Sequence, residues 1–472
     1  MNTSRRTLFL VAAAVLVLLV GTLLVVMLPK VDGFGPQTIQ GGLPRTSPLW
    51  ITFTRQMRPE SIQELLTISP EIAGEFTWED KTLTFTPEEE WPAGTQVQVI
   101  LQAGASSSLG LPTRQEVSWS FEVAPILMAY LWPSEGSSQL FSLDVDTGET
   151  IQLTQTSRVL AYAFAPDGRS FYYFAENNQG GSDLFASDRF EAVENAEYTP
   201  TRLLTCQRAI CSSPVISPDG RTLAYLRNDA EVWLLALDEP AEAQQVSRKG
   251  HPSWQPLWSP TGRLAYYDSQ ELAYKVFNPA SGEQISLPNQ SGETAAWAPG
   301  GTALIAPDAF TSETDILRGP TGEEANQEVN ESELEPVRVL SSQLMVYQVD
   351  GDTISTLTEE PLAEDFSPAF SPDGSTLAFT RRYLDDERWT PGRQVWLMAF
   401  PGAGSSASQL RPLTDSPSFM YMGIVWHPDG TKLAATRFDV TLLTEPPEIW
   451  LFERSGKALR LVIGGFSPGW IP

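Results

Sequence analysis

Phe164-Ala-Pro-Asp-Gly168 returns along this chain as Ile216-Ser-Pro-Asp-Gly220, Trp258-Ser-Pro-Thr-Gly262, Trp297-Ala-Pro-Gly-Gly301, Phe370-Ser-Pro-Asp-Gly374 and Trp426-His-Pro-Asp-Gly430. A large apolar residue comes first, then a small or polar one, then Pro-x-Gly. A strand-like run follows, such as Leu223-Ala-Tyr-Leu226 or Leu377-Ala-Phe-Thr380. Pro166, Pro218, Pro260, Pro299, Pro372 and Pro428 set φ for a turn. Gly168, Gly220, Gly262, Gly301, Gly374 and Gly430 supply the positive φ at its exit. Self-similarity at roughly 40 to 55 residues predicts a repeat architecture.

Each repeat obeys one grammar after the turn. A third strand rich in aromatics appears as Glu231-Val-Trp-Leu-Leu-Ala-Leu-Asp, Gln394-Val-Trp-Leu-Met-Ala-Phe and Glu448-Ile-Trp-Leu-Phe-Glu. A fourth closes the unit, as in Asp144-Val-Asp-Thr-Gly-Glu-Thr-Ile-Gln-Leu-Thr154. Four antiparallel strands per repeat, set radially, make a β-propeller. These units resemble the WD40-like propeller repeats of the TolB type across residues 126–472. The resemblance implies a fold and carries no activity with it.

The segment from Ile126 to Thr154 lacks a leading strand, whereas Gly465-Phe-Ser-Pro-Gly-Trp-Ile-Pro472 is a leading strand with nothing after it. Together they predict seven blades closed by the C-terminal strand, with six as the alternative. Closure removes free sheet edges.

Upstream the pattern changes to alternation. Trp50-Ile-Thr-Phe-Thr, Glu75-Phe-Thr-Trp, Thr82-Leu-Thr-Phe-Thr, Gln96-Val-Gln-Val-Ile and Val117-Ser-Trp-Ser-Phe-Glu-Val place apolar residues two apart, the mark of half-buried strands. Short strands over residues 47–123 predict a small β-sandwich. The run Ile51-Thr-Phe-Thr-Arg-Gln-Met57, with Thr67-Ile-Ser-Pro-Glu-Ile72, Gly74-Glu-Phe-Thr-Trp78 and Trp119-Ser-Phe121, resembles the bacterial Ig-like domain of S-layer-type proteins. That likeness implies a spacer or adhesive module. Residues 30–46, with Gly and Pro but no apolar period, read as a linker.

At the N-terminus Arg5 and Arg6 precede the uncharged apolar run Leu8–Leu28. Its length matches a bilayer-spanning helix, and a cleaved signal peptide is the competing reading. Residues 1–29 would then be a short cytoplasmic stub and a transmembrane helix, with the positive-inside rule keeping the N-terminus cytoplasmic and the bulk of the chain extracytoplasmic, a single-pass membrane protein. The fold class expected is therefore all-β behind one transmembrane helix.

Charge excludes one class of partner. The chain holds 31 basic against 58 acidic residues, a formal net charge of −27. Such a surface repels phosphate backbones, so nucleic acid is not expected as a partner. Cys206 and Cys211, the two cysteines, would form a disulfide between repeats or stay as buried thiols; the spacing leaves both open.

Little catalytic chemistry is visible. The two histidines, His251 and His427, lie in loop and turn contexts, and no Gly-x-Ser-x-Gly elbow occurs. Asp144/Asp146 and Asp350/Asp352 fall where turn-forming Asp belongs. No catalytic residue, cofactor or metal is assigned. The mixed-charge loop holding Asp385, Asp386 and Trp389, together with Trp132 beside a turn, supplies the candidate partner contacts. So does the acidic insert of residues 309–336. The expected role is a non-catalytic protein-binding or scaffold module that meets another envelope protein. A carbohydrate-binding or polysaccharide- or peptide-processing propeller using the central channel is the alternative.

Overall fold

A computed structural model describes residues 27–37, 41–195, 197–239, 243–317, 336–351, 353–400 and 408–472. The chain divides into two compact units, residues 1–126 and 127–472.

The first unit is a two-sheet sandwich. One sheet is ordered β1 (Val31–Gly35), β2 (Leu49–Phe53), β5 (Thr82–Pro87), β4 (Gly74–Glu79); the other is β3 (Leu66–Ser69), β6 (Gln96–Leu101), β7 (Val117–Glu122). Period-two alternation sends Leu49, Ile51, Phe53, Leu83, Phe85, Val97, Val99 and Phe121 inward, where all are buried. Trp91 fills the core between the sheets and donates its indole N–H to the Ser47 carbonyl at 2.8 Å. A single helical turn, α1 (Pro59–Gln63), buries Ile62. The segment read as a linker begins with a strand: β1 pairs along β2, with Gly35 opposite Trp50. Its glycines hid it, because they offer no apolar alternation. They are there because Trp50 lies across them, and a Cβ at Gly35 would come within 2.7 Å of that ring.

The second unit contains seven four-stranded antiparallel blades. Blade 1 takes β8 (Leu127–Trp132), β9 (Gln139–Asp144) and β10 (Thr150–Gln152), with the chain's last strand, Phe466–Trp470, as its leading member. Blade 2 is β11 (Val159–Phe164), β12 (Ser170–Glu176), β13 (Ser182–Asp188) and β14 (Thr201–Thr205), with α2 (Arg189–Glu194) between the last two. Blade 3 is β15 (Cys211–Ile216), β16 (Thr222–Arg227), β17 (Glu231–Ala236) and β18 (Gln244–Gln245). Blade 4 is β19 (Ser253–Trp258), β20 (Leu264–Asp268), β21 (Ala273–Phe277) and β22 (Gln284–Pro288). Blade 5 is β23 (Ala296–Trp297), β24 (Ala303–Leu317), β25 (Pro336–Gln348) and β26 (Ile354–Thr356). Blade 6 is β27 (Ala363–Phe370), β28 (Thr376–Tyr383), β29 (Gln394–Ala399) and β30 (Ser408–Pro412). Blade 7 is β31 (Phe419–Trp426), β32 (Lys432–Asp439), β33 (Glu448–Glu453) and β34 (Ala458–Ile463). The last strand, β35, pairs antiparallel with β8, placing Trp470 opposite Met128. Blades 5 and 6 touch through one parallel pair, Ser342 with Glu364.

Leading strands of neighbouring blades lie side by side and form the inner wall. Tryptophans at the first position of the repeated phrase stitch that wall. Trp258, Trp297 and Trp426 donate their indole N–H to the carbonyls of Val215, Leu257 and Ala369 on the preceding blade, at 3.0–3.2 Å. Trp470 does the same to Val425 at 3.3 Å. Where the phrase opens with Phe164, Tyr162 bridges instead, its hydroxyl donating toward the Ala129 and Ser467 carbonyls. Between blades lie the apolar layers, such as Ala129, Leu131, Leu140, Phe171, Tyr173 and Ile471.

The single-pass expectation is corrected here. Among the described residues no helix is long and apolar enough to cross a membrane. The run Leu8–Leu28 that prompted it lies outside the described residues, save for Met27 and Leu28. Apolar length alone suggested a span; the described structure supplies no helix to match it.

Candidate functional site

Strand direction sorts every connection of the propeller onto one of two faces. First-to-second and third-to-fourth turns share one face. Second-to-third turns and the connections between blades share the other, called the loop face below.

The Pro-x-Gly turns belong to the first face. Their glycines have φ between 62° and 81°. Asp373 accepts from the Ser371 and Ser375 hydroxyls, which hold its carboxyl down at about 2. Asp219 is lowered likewise by Ser217. These carboxylates tie turns rather than face a ligand. Asp144 accepts from the Asp146 and Thr147 amides in the same manner. Asp350 is held by Arg263 at 2.6 Å, and Asp352 lies outside the described residues. His427 also sits on this face. It is buried, its ring meets Trp470 edge-on at 4.5 Å, and burial lowers its pKa despite Asp429 at 2.7 Å.

The partner-contact candidates among the described residues fall on the loop face. Trp132 stands at the β8–β9 turn, half exposed, donating to the Ile463 carbonyl at 3.1 Å. Asp385, Asp386 and Trp389 occupy the β28–β29 loop. The acidic insert continues the β24–β25 hairpin, whose arms pair from Ala303 with Gln348 out to Leu317 with Pro336. Its residues 318–335 lie outside the described residues. Cys206 and Cys211 are joined in a disulfide, Cα atoms 6.3 Å apart, within the connection from blade 2 to blade 3. Their loop packs over Gly181, where a Cβ would come within 2.4 Å of two carbonyl oxygens.

The β28–β29 loop is tightly built. Arg388 Nε donates to Asp385 at 2.8 Å, its terminal nitrogen reaches Glu360 at 3.3 Å, and its guanidinium lies 3.8 Å from the Tyr383 ring centroid. These contacts lower the Asp385 carboxyl and raise the arginine. The Trp389 amide donates to the Asp385 carbonyl at 2.9 Å, and Gly392 donates to Pro417 at 2.8 Å. Beneath the loop, Arg381 makes a bidentate pair with Asp365 at 2.6 and 2.7 Å. Asp365 is fully buried, and burial raises its pKa against the pull of that arginine. Glu364 accepts from both Arg382 and Arg393.

One group on the loop face has metal-ligand chemistry. Among the described residues, His251, Asp268 and Glu271 bring three ligand-type atoms within 4.8 Å of one another. Their bonds are already committed. Asp268 accepts from the His251 ring at 3.0 Å and from the Gln270 and Glu271 amides, while the Lys275 ammonium binds Glu271. A cation would have to displace that ammonium, so the group acts as a lock between two loops of blade 4.

Three devices escaped the sequence reading. The first is an outer-strand hydroxyl, Thr154, Ser247, Thr358 or Thr414, which accepts the third-strand amide of Leu140, Val232, Leu344 or Val395 at 2.9 Å. Its signal was a second recurring phrase: Leu153-Thr154, Val246-Ser247, Leu357-Thr358, Leu413-Thr414. The second is an arginine closing the second strand over a third-strand tryptophan: Arg227 on Trp233, Arg381 on Trp396, Arg437 on Trp450. The third is a bulge in the inner strands. Ser213, Gln255, Ser367 and Ser467, each preceding a proline, have φ of 50–56° where the register slips. Two of these bulges, at Ser213 and Ser467, line an inner-wall cavity of about 390 Å³ together with Tyr162, Pro214 and Trp470.

Residues 27–123 match the bacterial Ig-like domain family, so the first unit carries such a domain. No curated protein matches the chain. Among solved structures it is similar to TolB from Agrobacterium tumefaciens (17% identity, TM-score 0.36, covering 57% of this chain and 87% of that one). It is also similar to TolB from Acinetobacter baumannii (14%, 0.42, covering 88% and 86%). A third likeness is to an oligogalacturonate lyase from Vibrio parahaemolyticus (14%, 0.39, covering 64% and 73%). At such identities and scores these likenesses assign neither a substrate nor a reaction. The propeller is established by its own strand pairing.

Proposed function

We propose that the propeller is a non-catalytic recognition module whose loop face binds another protein outside the cytosol. One observation carries this reading: the distribution of exposed large apolar side chains. Trp132, Ile210, Leu272, Leu340, Trp389, Leu442, Leu443 and Ile463 all belong to the turns, hairpin extension and connections of that one face. The Pro-x-Gly turns of the other face contribute none, and its third-to-fourth connections add only Val193 and, at the start of β26, Ile354. Leu443 is 84% exposed at the tip of the β32–β33 loop. Gathered exposed apolar groups are what a recognition surface offers. The Cys206–Cys211 disulfide and the bacterial Ig-like domain support an oxidising, extracytoplasmic setting.

The test immobilises the full chain and compares it with Leu443→Ser/Trp389→Ser and with Val193→Ser/Leu410→Ser, which changes exposed apolar groups elsewhere. A purified envelope protein held by the wild type and by the second variant but released by the first supports the reading. Equal release by both variants, or turnover of a glycan or peptide by the purified chain, overturns it.

A further inference from the structure

The loop-face reading leaves open what chemistry the partner brings, and the sector around Trp389 narrows it. Trp389 is 54% exposed, among the most open aromatic groups of the described chain. Its loop carries Asp385, Asp386 and Glu387, and the Leu384 amide on the Leu362 carbonyl at 2.9 Å, with Arg388 on Glu360 at 3.3 Å, ties that loop to the connection carrying Glu359 and Glu360. Arg388 is consumed by Asp385 and Glu360. Glu359, Asp386 and Glu387 are exposed, and none of them pairs with a basic group of another described residue. The surplus charge beside the indole is therefore negative, on a chain whose formal net charge is already −27.

The loop is also held before any partner arrives. Arg388 is clamped between Tyr383 and two carboxylates. Tyr383 bridges Trp389. A Cβ at Gly392 would lie 1.9 Å from the Phe419 carbonyl oxygen, so the loop's base sits directly on the next blade. The backbone beneath the indole is pre-set, so little loop entropy is lost when the indole binds. Its π-face attracts a cation, and the neighbouring carboxylates attract the same cation.

We propose that Trp389, Asp386, Glu387 and Glu359 form a docking surface for a lysine- or arginine-rich segment of a partner polypeptide. This rests on the loop-face reading and gives it a chemistry. One cation on one exposed indole is worth little, so several basic side chains on one segment are required. An anionic lipid surface or a nucleic acid would be repelled from the same place.

The experiment titrates a short fluorescein-labelled peptide of alternating lysine and serine against the full chain at low salt, read by anisotropy. Trp389→Ala weakens binding about fivefold, the loss of one cation–π contact. Asp386→Asn/Glu387→Gln weakens it further. Glu149→Gln/Glu283→Gln removes the same charge from the opposite face and leaves binding unchanged. Equal weakening in that control, or no change in Trp389→Ala with its fold intact by circular dichroism, overturns the proposal. A native partner that is released by Leu443→Ser but kept by Trp389→Ala sinks this surface while leaving the loop-face reading standing. Failure of every loop-face variant to release any partner sinks both.

Discussion

The indole N–H of Trp470 donates to the carbonyl of Val425 across the seam where the end of the propeller meets its beginning. It repeats, residue for residue, the bonds that Trp258, Trp297 and Trp426 make between consecutive blades. Toward blade 7 the closing strand is thus held by the same chemistry as the others, and toward blade 2 the Tyr162 hydroxyl donates to its Ser467 carbonyl.

Trp470→Phe keeps a ring in place and deletes only the donor. It should cost about 1 kcal/mol in the urea transition of the propeller, with the Val425 carbonyl left unpaired. Trp389→Phe, on an exposed ring with no such bond, should leave that transition within about 0.5 kcal/mol of wild type. Similar losses in both would show that the seam bond contributes nothing.

Two repeat glycines with the same backbone requirement should respond differently. Gly262 has φ 81° and open space where a Cβ would stand; Gly168 has φ 62°, and a Cβ there would fall 2.0 Å from the Pro472 carbonyl oxygen. Gly262→Ala should cost about 1 kcal/mol from left-handed strain alone. Gly168→Ala must also push the chain end away, so its thermal midpoint should fall further.

Asp365 and Arg381 offer a test of buried charge. Asp365→Asn leaves the guanidinium unpaired inside blade 6, and a loss of about 3–5 kcal/mol is expected. Replacing both partners, Asp365→Leu with Arg381→Met, should restore most of it, because the Phe379 and Trp396 rings already make an apolar surround. Differential scanning calorimetry on the two variants decides between pairing and packing.

His427 sets a pH dependence. Burial lowers its folded-state pKa below the ordinary 6.5, outweighing the attraction of Asp429 and Asp146. The unfolded chain therefore binds the proton more readily, and the stabilisation is full above pH 6.5 and lost as pH falls below it. His427→Ser restores the residue found at Ser217, Ser259 and Ser371. In that variant the fall in thermal midpoint between pH 7.5 and 5 should be smaller than in wild type.

The disulfide predicts a further loss. Cys206→Ser/Cys211→Ser should lower propeller stability by about 1–3 kcal/mol, the short loop limiting the entropic share. Reductant should reproduce the effect in wild type and leave the variant unchanged.

What could be read from residues alone follows from local grammar. Pro-x-Gly fixes a turn by its own torsions, so the blade register was legible at Gly168, Gly220 and Gly374. Alternation exposed β5 and β6 in the sandwich. Strand β1 was missed because Gly33 and Gly35 serve Trp50, a partner known only once the strands pair. The loop face was half legible: Trp132 and Trp389 announced themselves by standing beside turns. That they share one side of the ring depends on strand direction summed over blades, which no single window displays. Exposed Leu443 gave no signal, since a leucine pair in a sequence reads as core. The apolar run Leu8–Leu28 shows the converse hazard, because length and hydropathy alone prompted a span that the described structure does not contain.

The pairing of β35 with β8 has a kinetic consequence. Trp132 and Ile463, which meet at this seam, are 331 residues apart in sequence. Blade 1 therefore stays one strand short while six other sheets can zip up from neighbouring segments, and its open edge waits on the slowest loop closure in the molecule. During that interval the exposed backbone of β8 is the natural place for a chaperone to hold or for a second chain to trespass.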